Sequence, residues 1–161
     1  YKSEQISEEQ LTKILYAANA APVGMKRYEN VKITVIQSKE ILDAINDECE
    51  KIFQSGRKVT YDAPTLVLIS VLKPEAKPNP SALCNAACLI ENMAIAATEM
   101  GIGNVYLLGL TRVLINDREF CKKLMIPEGF IPASAIALGY PTDTFAEREA
   151  TLSNFEIDYL S

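Results

Sequence analysis

The chain has 161 residues, a formal net charge of -5 and a pI near 4.9. That length suits a single domain that buries about two thirds of its unfolded surface without staples, and the acidic balance argues against non-specific nucleic-acid binding. The sequence contains no histidine, which excludes a Ser-His-Asp triad, a Cys-His dyad and histidine metal sites.

Taken in order, the first helix starts at Ser7. Ser7 and Gln10 have capping-box spacing, Glu8 and Glu9 suit the positive end of a helix, and Leu11, Ile14, Leu15 and Ala18 share one face. The helix is expected to end near Asn19, because Pro22 disfavours helix in the residue before it and Gly24 frees the backbone of the loop at 20–30. Residues 32–37 alternate and are rich in branched side chains, a strand pattern. Ser38 caps the next helix, whose apolar face is Ile41, Leu42, Ile45, Cys49, Ile52 and Phe53; a polar loop at 54–62 follows, with Arg57 and Lys58.

Ala63 and Pro64 open the run TLVLISV, apolar with little alternation, which predicts a central strand covered on both faces. Residues 73–81 hold three prolines and no apolar period, so they form a surface loop. The stretch 85–109 is the organising element. Its first part is apolar almost all round, with a narrow polar stripe of Asn85, Asn92 and Glu99 flanked by Glu91 and Thr98, and is predicted to be a helix buried nearly all round. Alanines keep this helix thin, as a central or interface helix requires. Gly101 stands where a left-handed cap favours glycine, and a short strand over 104–110 is expected after it. Residues 111–125 read as one helix and 133–138 as another buried strand, closed by Gly139-Tyr140-Pro141. At the end, Phe155, Ile157 and Tyr159 alternate like a strand that needs a sheet edge, one that a second subunit could provide. The interleaved elements imply α/β or α+β in three layers.

Four cysteines, Cys49, Cys84, Cys88 and Cys121, lie in apolar or helical contexts and read as reduced thiols, which places the chain in the cytoplasm. Cys84 and Cys88 are four apart but lack further ligands at a suitable spacing, so packing is the expected role and no metal site is predicted. Uninterrupted apolar runs are too short to span a bilayer. Gly101-Ile102-Gly103 follows a helix instead of opening one, so it is a cap and turn and not a dinucleotide fingerprint.

Four separated pieces resemble the FMN-dependent nitroreductase family. They are Ala20-Ala21-Pro22-Val23-Gly24-Met25, Asp62-Ala63-Pro64-Thr65-Leu66-Val67, the stretch 85–109, and Ile136-Ala137-Leu138-Gly139-Tyr140-Pro141. Their order and separation both fit. The resemblance implies an α+β, three-layer nitroreductase-like fold, with a mixed, mostly antiparallel sheet flanked by helices and a single domain over 1–161. It further implies a homodimer with FMN at the interface and NAD(P)H as co-substrate.

By the same resemblance, Pro22, Val23, Gly24, Met25, Lys26 and Tyr28 belong to the loop that one subunit lays against the flavin. Relatives often carry serine and asparagine there; Val23 and Lys26 stand near those places, so backbone contacts are expected to take over. Tyr106, Leu107, Leu108 and Gly109 resemble the segment whose main chain faces the isoalloxazine ring, where a backbone N–H approaches N5 and an unhindered Gly109 helps. Arg57 and Lys58 lie where relatives supply positive charge to reduced flavin. Arg148 is the candidate for a phosphate contact beyond Pro141. Relatives carry an Arg-Arg-Ser-x-Arg motif just before the position of Tyr1, and the sequence begins after it: either that segment lies outside this sequence, or this phosphate clamp is lacking and FMN is expected to bind poorly. Without the resemblance, these stretches read as an ordinary loop, a core strand and solvated surface charges.

The implied chemistry belongs to the cofactor: NAD(P)H gives hydride to FMN N5, and an electron-poor acceptor such as a nitroaromatic or quinone takes it, with no catalytic side chain required. Tyr28 or Tyr106 would orient this small-molecule acceptor; neither nucleic acid nor membrane is an expected partner. The alternative is a non-catalytic dimer of the same fold, binding flavin without turnover or lacking it, that serves as a scaffold.

Overall fold

The structure, a computed structural model, describes residues 1–73, 80–144, 146, 149–152 and 154–160, with only the backbone of Pro80. The elements run α1 (Glu8–Asn19), β1 (Val31–Ile36), α2 (Lys39–Phe53), β2 (Thr65–Leu72), α3 (Pro80–Glu99), β3 (Gly103–Leu107), α4 (Gly109–Leu114), α5 (Arg118–Lys123) and β4 (Phe130–Gly139). The strand order is β1-β2-β4-β3, and all three pairings are antiparallel. Helices cover both faces, which makes this an α+β fold in three layers.

The sheet is buried on both sides because alternate residues of its central strands feed two cores. Val67, Ile69, Ile136 and Leu138 pack with Ile14 and Ala18 of α1 and with Ala86, Ile90, Met93 and Ala97 of α3. On the other face, Leu66, Leu68, Ala135 and Ala137 pack with Ile45 and Cys49 of α2, Leu110 and Leu114 of α4, and Phe120 of α5. Pro132 sits in central β4, where a missing N–H would break the ladder. The register shifts between Ile69 and Ser70 at this point, so Ser134 and Pro132 face consecutive β2 residues and Ala133 is the extra residue of a bulge. Thr111 Oγ1 donates to the Ala133 carbonyl at 3.4 Å, giving the bulge a partner.

Local signals explain the helix starts. Ser7 accepts the Gln10 N–H, and the Gln10 side chain accepts the Ser7 N–H at 3.1 Å, completing the capping box. Ser38 accepts from Ile41 N–H, and Gly101, at φ +70°, leads α3 into β3. Two glycines make room for close neighbours: a Cβ on Gly103 would lie 2.9 Å from the Tyr1 ring, and one on Gly139 would lie 2.8 Å from Pro64 Cδ and 3.0 Å from the Tyr1 ring.

Several boundaries differ from expectation. The helix expected from Asn85 begins at Pro80, taking the end of the predicted 73–81 loop into its first turn; residues 74–79 lie outside the described residues. The strand predicted to reach Leu110 stops at Leu107, and Gly109 opens α4 instead. The single helix over 111–125 is two short helices, because Asp117 caps a new start by accepting the Phe120 N–H at 2.9 Å. Phe155, Ile157 and Tyr159 form no strand and are exposed, since no sheet edge of this chain receives them.

Helix α3 was expected to be buried nearly all round, yet Leu83, Cys84, Glu91 and Ile95 are exposed in the single chain. It is long and apolar enough (mean hydropathy 1.2 over Ser81–Glu99) to pass a length-and-composition test for a membrane span, a test that the core helix of a water-soluble fold also passes. Its inner face nevertheless packs on the sheet, and Ala97 is fully buried there. Ala97→Leu is therefore expected to overpack this contact and destabilise the protein by about 1–3 kcal/mol in urea unfolding, and an unchanged midpoint would contradict the packing.

Candidate functional site

The sequence-predicted residues fall into two places. The loop after α1 is built of two short turns, at Gly24–Lys26 and Tyr28–Asn30. Met25 and Lys26 both have φ 56°, an uncommon left-handed pair for residues with side chains. One side-chain anchor is visible: Gly24 N–H donates to Asn85 Oδ1 on α3 at 3.0 Å. Gly24 and Met25 line an open cavity of about 580 Å³ with Arg27, Asn30, Lys73 and Asn85. Pro22, Lys26 and Tyr28 are exposed on the same loop, and Val23 is half-buried against the α1–α3 core.

The second place is a cavity of about 770 Å³ between the α2–β2 loop and the β3–α4 junction. It gathers Arg57, Lys58, Tyr106, Leu107, Leu108 and Gly109, together with Tyr61 and Asp62. Leu107 is buried, whereas Tyr106 and Leu108 are each 46 % exposed and give the cavity an apolar wall. A Cβ built on Gly109 would make ordinary contact with the Phe53 ring at 3.7 Å and clash with nothing. α4 starts without a capping side chain, so no side chain claims the N–H groups of its first turn.

The cations differ in their engagement. Lys58 Nζ bonds Asp62 Oδ1 at 2.5 Å, and this bond raises the ammonium above its usual range, with the charge of Asp62 adding to it. Arg57 makes no salt bridge among the described residues. The loop itself is tightly specified. Thr60 N–H donates to Asn46 Oδ1 at 3.1 Å and Asn46 Nδ2 donates to Thr60 Oγ1 at 3.0 Å, while Gly56 N–H donates to Glu50 Oε1 at 2.9 Å. Tyr61 and Asp62 follow with φ 55° and 59°, a second left-handed pair costing about 1–3 kcal/mol per residue, held only because its neighbours are fixed.

The two cavities share no lining residue, so one chain does not bring the Pro22–Tyr28 group and the Arg57–Gly109 group into one site. Arg148 lies outside the described residues. Sequence reasoning missed Tyr61, Asp62 and Asn85 as site residues. Asn46 was also missed, although a polar residue beside Leu42, Ile45 and Cys49 on the apolar side of α2 was a usable signal.

A family model described as "Nitroreductase family" matches residues 1–140. The chain belongs to the nitroreductase family. A protein of Archaeoglobus fulgidus named for NADH dehydrogenase/NAD(P)H nitroreductase is 28% identical over 143 residues, covering 89% of this chain and 79% of the relative. A protein of the same name from Methanothermobacter thermautotrophicus is also 28% identical, over 92% of this chain and 74% of its own length. Among solved structures, a nitroreductase with bound FMN from Bacteroides fragilis has a TM-score of 0.82 at 28% identity, covering 99% of this chain and 91% of that one. The FMN-bound nitroreductase of Desulfitobacterium hafniense gives 0.83 at 25% identity, covering 100% and 91%.

All four thiols of this nitroreductase-family chain are free. Burial pushes Cys49 up to about 11 and raises Cys121 as well, so both are unreactive at neutral pH. Because the folded pKa of Cys49 exceeds the ordinary value of 9.0, its stabilising contribution is complete below pH 9 and is lost as pH rises through about 11. At pH 8 a thiol reagent should reach Cys49 and Cys121 only on unfolding; labelling of either in the folded protein would contradict this burial.

Proposed function

We propose that this protein is an FMN-dependent oxidoreductase that moves hydride from NAD(P)H to an electron-poor small molecule such as a nitroaromatic or quinone. The observation that carries the proposal is the 770 Å³ cavity, in which an apolar wall, a glycine and two cations converge. Its size and lining suit one flavin ring system.

Tyr106 and Leu108 offer the ring apolar surface, and the β3–α4 junction at Gly109 permits close backbone approach. Arg57 is the cation available to an anionic flavin edge, while Lys58 reaches it only by sharing with Asp62. FMN, when bound, supplies the hydride chemistry. The chain binds and orients the ring, keeps water from its apolar side and balances charge.

The other half of the site, Pro22 to Tyr28, comes in this reading from a second copy. The separate cavities and the exposed Leu83 and Ile95 of α3 support a homodimer, in which each half-site meets the partner's complementary half. Residues 1–161 then act as a single FMN-binding domain. The free thiols support a reducing compartment, the cytoplasm.

The first test is the visible spectrum of the protein mixed with FMN. Flavin absorption that remains with the protein through gel filtration and bleaches on adding NADH or NADPH is the expected result; a colourless protein would overturn the proposal and leave a flavin-less scaffold. Gly109 lines the cavity, so Gly109→Val should raise the FMN dissociation constant about tenfold, with the Tm measured alongside to separate this from strain against Phe53. Unchanged affinity would remove Gly109 from the site.

A further inference from the structure

The loop that presents the site's cations is gripped from behind by one helix. Asn46 and Glu50 stand four residues apart on α2 and therefore on one side of it. Neither lines the 770 Å³ cavity; both border a shallow depression on the back of the loop, beside Gly56, Arg57 and Lys58. Asn46 is 8% exposed and Thr60 1%, and their paired amide and hydroxyl bonds close the C-terminal end of the loop. Glu50 closes the other end, accepting Gly56 N–H at 2.9 Å and Ser55 N–H at 3.3 Å. Ser55 Oγ completes this grip by accepting the Arg57 N–H at 3.2 Å.

Arg57 and Lys58 thus lie between two fixed points. Capping alone would require less: Gln54 N–H already ends α2 on the Glu50 carbonyl. The additional bonds fix backbone positions from Ser55 to Thr60, beyond the helix end at Phe53, and after them stands the left-handed Tyr61–Asp62 pair at the cavity wall. A left-handed pair of ordinary residues persists only where neighbouring bonds over-determine it. Lys58 is held chiefly by its bond to Asp62 and that carboxylate's charge, with smaller help from Asp43 and Asp47 of α2, while Arg57 forms no salt bridge with a carboxylate among the described residues.

We propose that Asn46 and Glu50 are positioning residues that fix the 55–60 loop so that Arg57 faces the flavin cavity, setting the affinity for reduced FMN through Arg57. The inference rests on reading that cavity as the FMN site. It assigns no chemistry to either residue; both act through a rigid backbone and a single guanidinium.

The test compares FMN-loaded wild type, Asn46→Ala, Arg57→Ala and the double variant by flavin midpoint potential and by the FMN dissociation constant. Each single variant should weaken binding of the reduced flavin about tenfold and make the potential more negative, and the double variant should lose no more than either single one. Glu50→Ala should behave as Asn46→Ala does, whereas Glu50→Gln, which keeps one acceptor for Gly56 N–H and gives up the Ser55 contact, should recover most of the lost potential. Should Asn46→Ala fail to fold, Glu50→Ala at the end of α2 carries the same comparison. In the FMN-free protein, tryptic cleavage after Arg57 and Lys58 should be about tenfold faster in Asn46→Ala. Additive losses, or an unchanged potential with only a lower Tm, would overturn the inference and leave the site standing. An unchanged Arg57→Ala, or a protein that takes up no FMN, would overturn the site reading and the inference together.

Discussion

The structure depends on how closely α3 lies on the sheet. Alanines at 86 and 97 face inward and are almost fully buried, so the helix backbone approaches β2 and β4 more closely than larger side chains would allow. Such proximity gives up area per residue, but Leu89, Ile90 and Met93 recover it between the small positions. The polar stripe is what ties the neighbouring segments to this helix. Asn92 Nδ2 donates to the Ala17 carbonyl at the end of α1, Asn85 accepts the Gly24 N–H, and Thr98 receives the Asn104 amide from β3 at 2.9 Å. A helix with no polar side chain would pack as well and place nothing. The Asn85 amide oxygen is half-buried and takes a backbone N–H of the loop after α1, which fixes where that loop leaves the core.

The opposite layer solves a different problem. There the α2–β2 loop must hold cations at a cavity edge without an apolar core of its own, and it does so with hydrogen bonds from α2 to its backbone. The two layers use one strategy: a helix side chain binds the backbone of a loop, and the loop then adopts a left-handed pair, Met25–Lys26 in one case and Tyr61–Asp62 in the other. Neither pair uses glycine, so the strain is borne by the contacts around it. Both loops border cavities, which places the least favourable backbone where shape matters most.

Family membership and the site geometry bear on each other in a specific way. The resemblance picked out Arg57, Lys58 and Tyr106 to Gly109 although they come from two distant segments of the chain, and the antiparallel β2–β4–β3 arrangement places them around one cavity. It also picked out Pro22 to Tyr28, which the same chain leaves at another cavity. A site divided in this way fits a flavoprotein whose two copies complete one another. It also gives a reason for the apolar residues left uncovered on α3.

The sequence by itself determined the helices and strands with strong local signals: the Ser7 capping box, the Ser38 cap, the Gly101 turn and the uninterrupted apolar run of β2. Each of these rests on residues within a few positions of one another, where periodicity and capping chemistry act. It also determined the family, because four pieces in order carry more information than any one of them. Only the tertiary structure decided where β3 ends and α4 begins, since Leu108 and Gly109 have no intrinsic preference strong enough to choose. It likewise decided that Asp117 would split a helix. For the tail, Phe155 to Tyr159 has a strand's alternation, but a strand needs a hydrogen-bonding edge, and alternation cannot supply one. The roles of Asn46, Glu50 and Asn85 were hidden for a related reason. Each bonds a backbone group on another element, and an acceptor's partner is fixed by where the chain has returned, which no local pattern encodes.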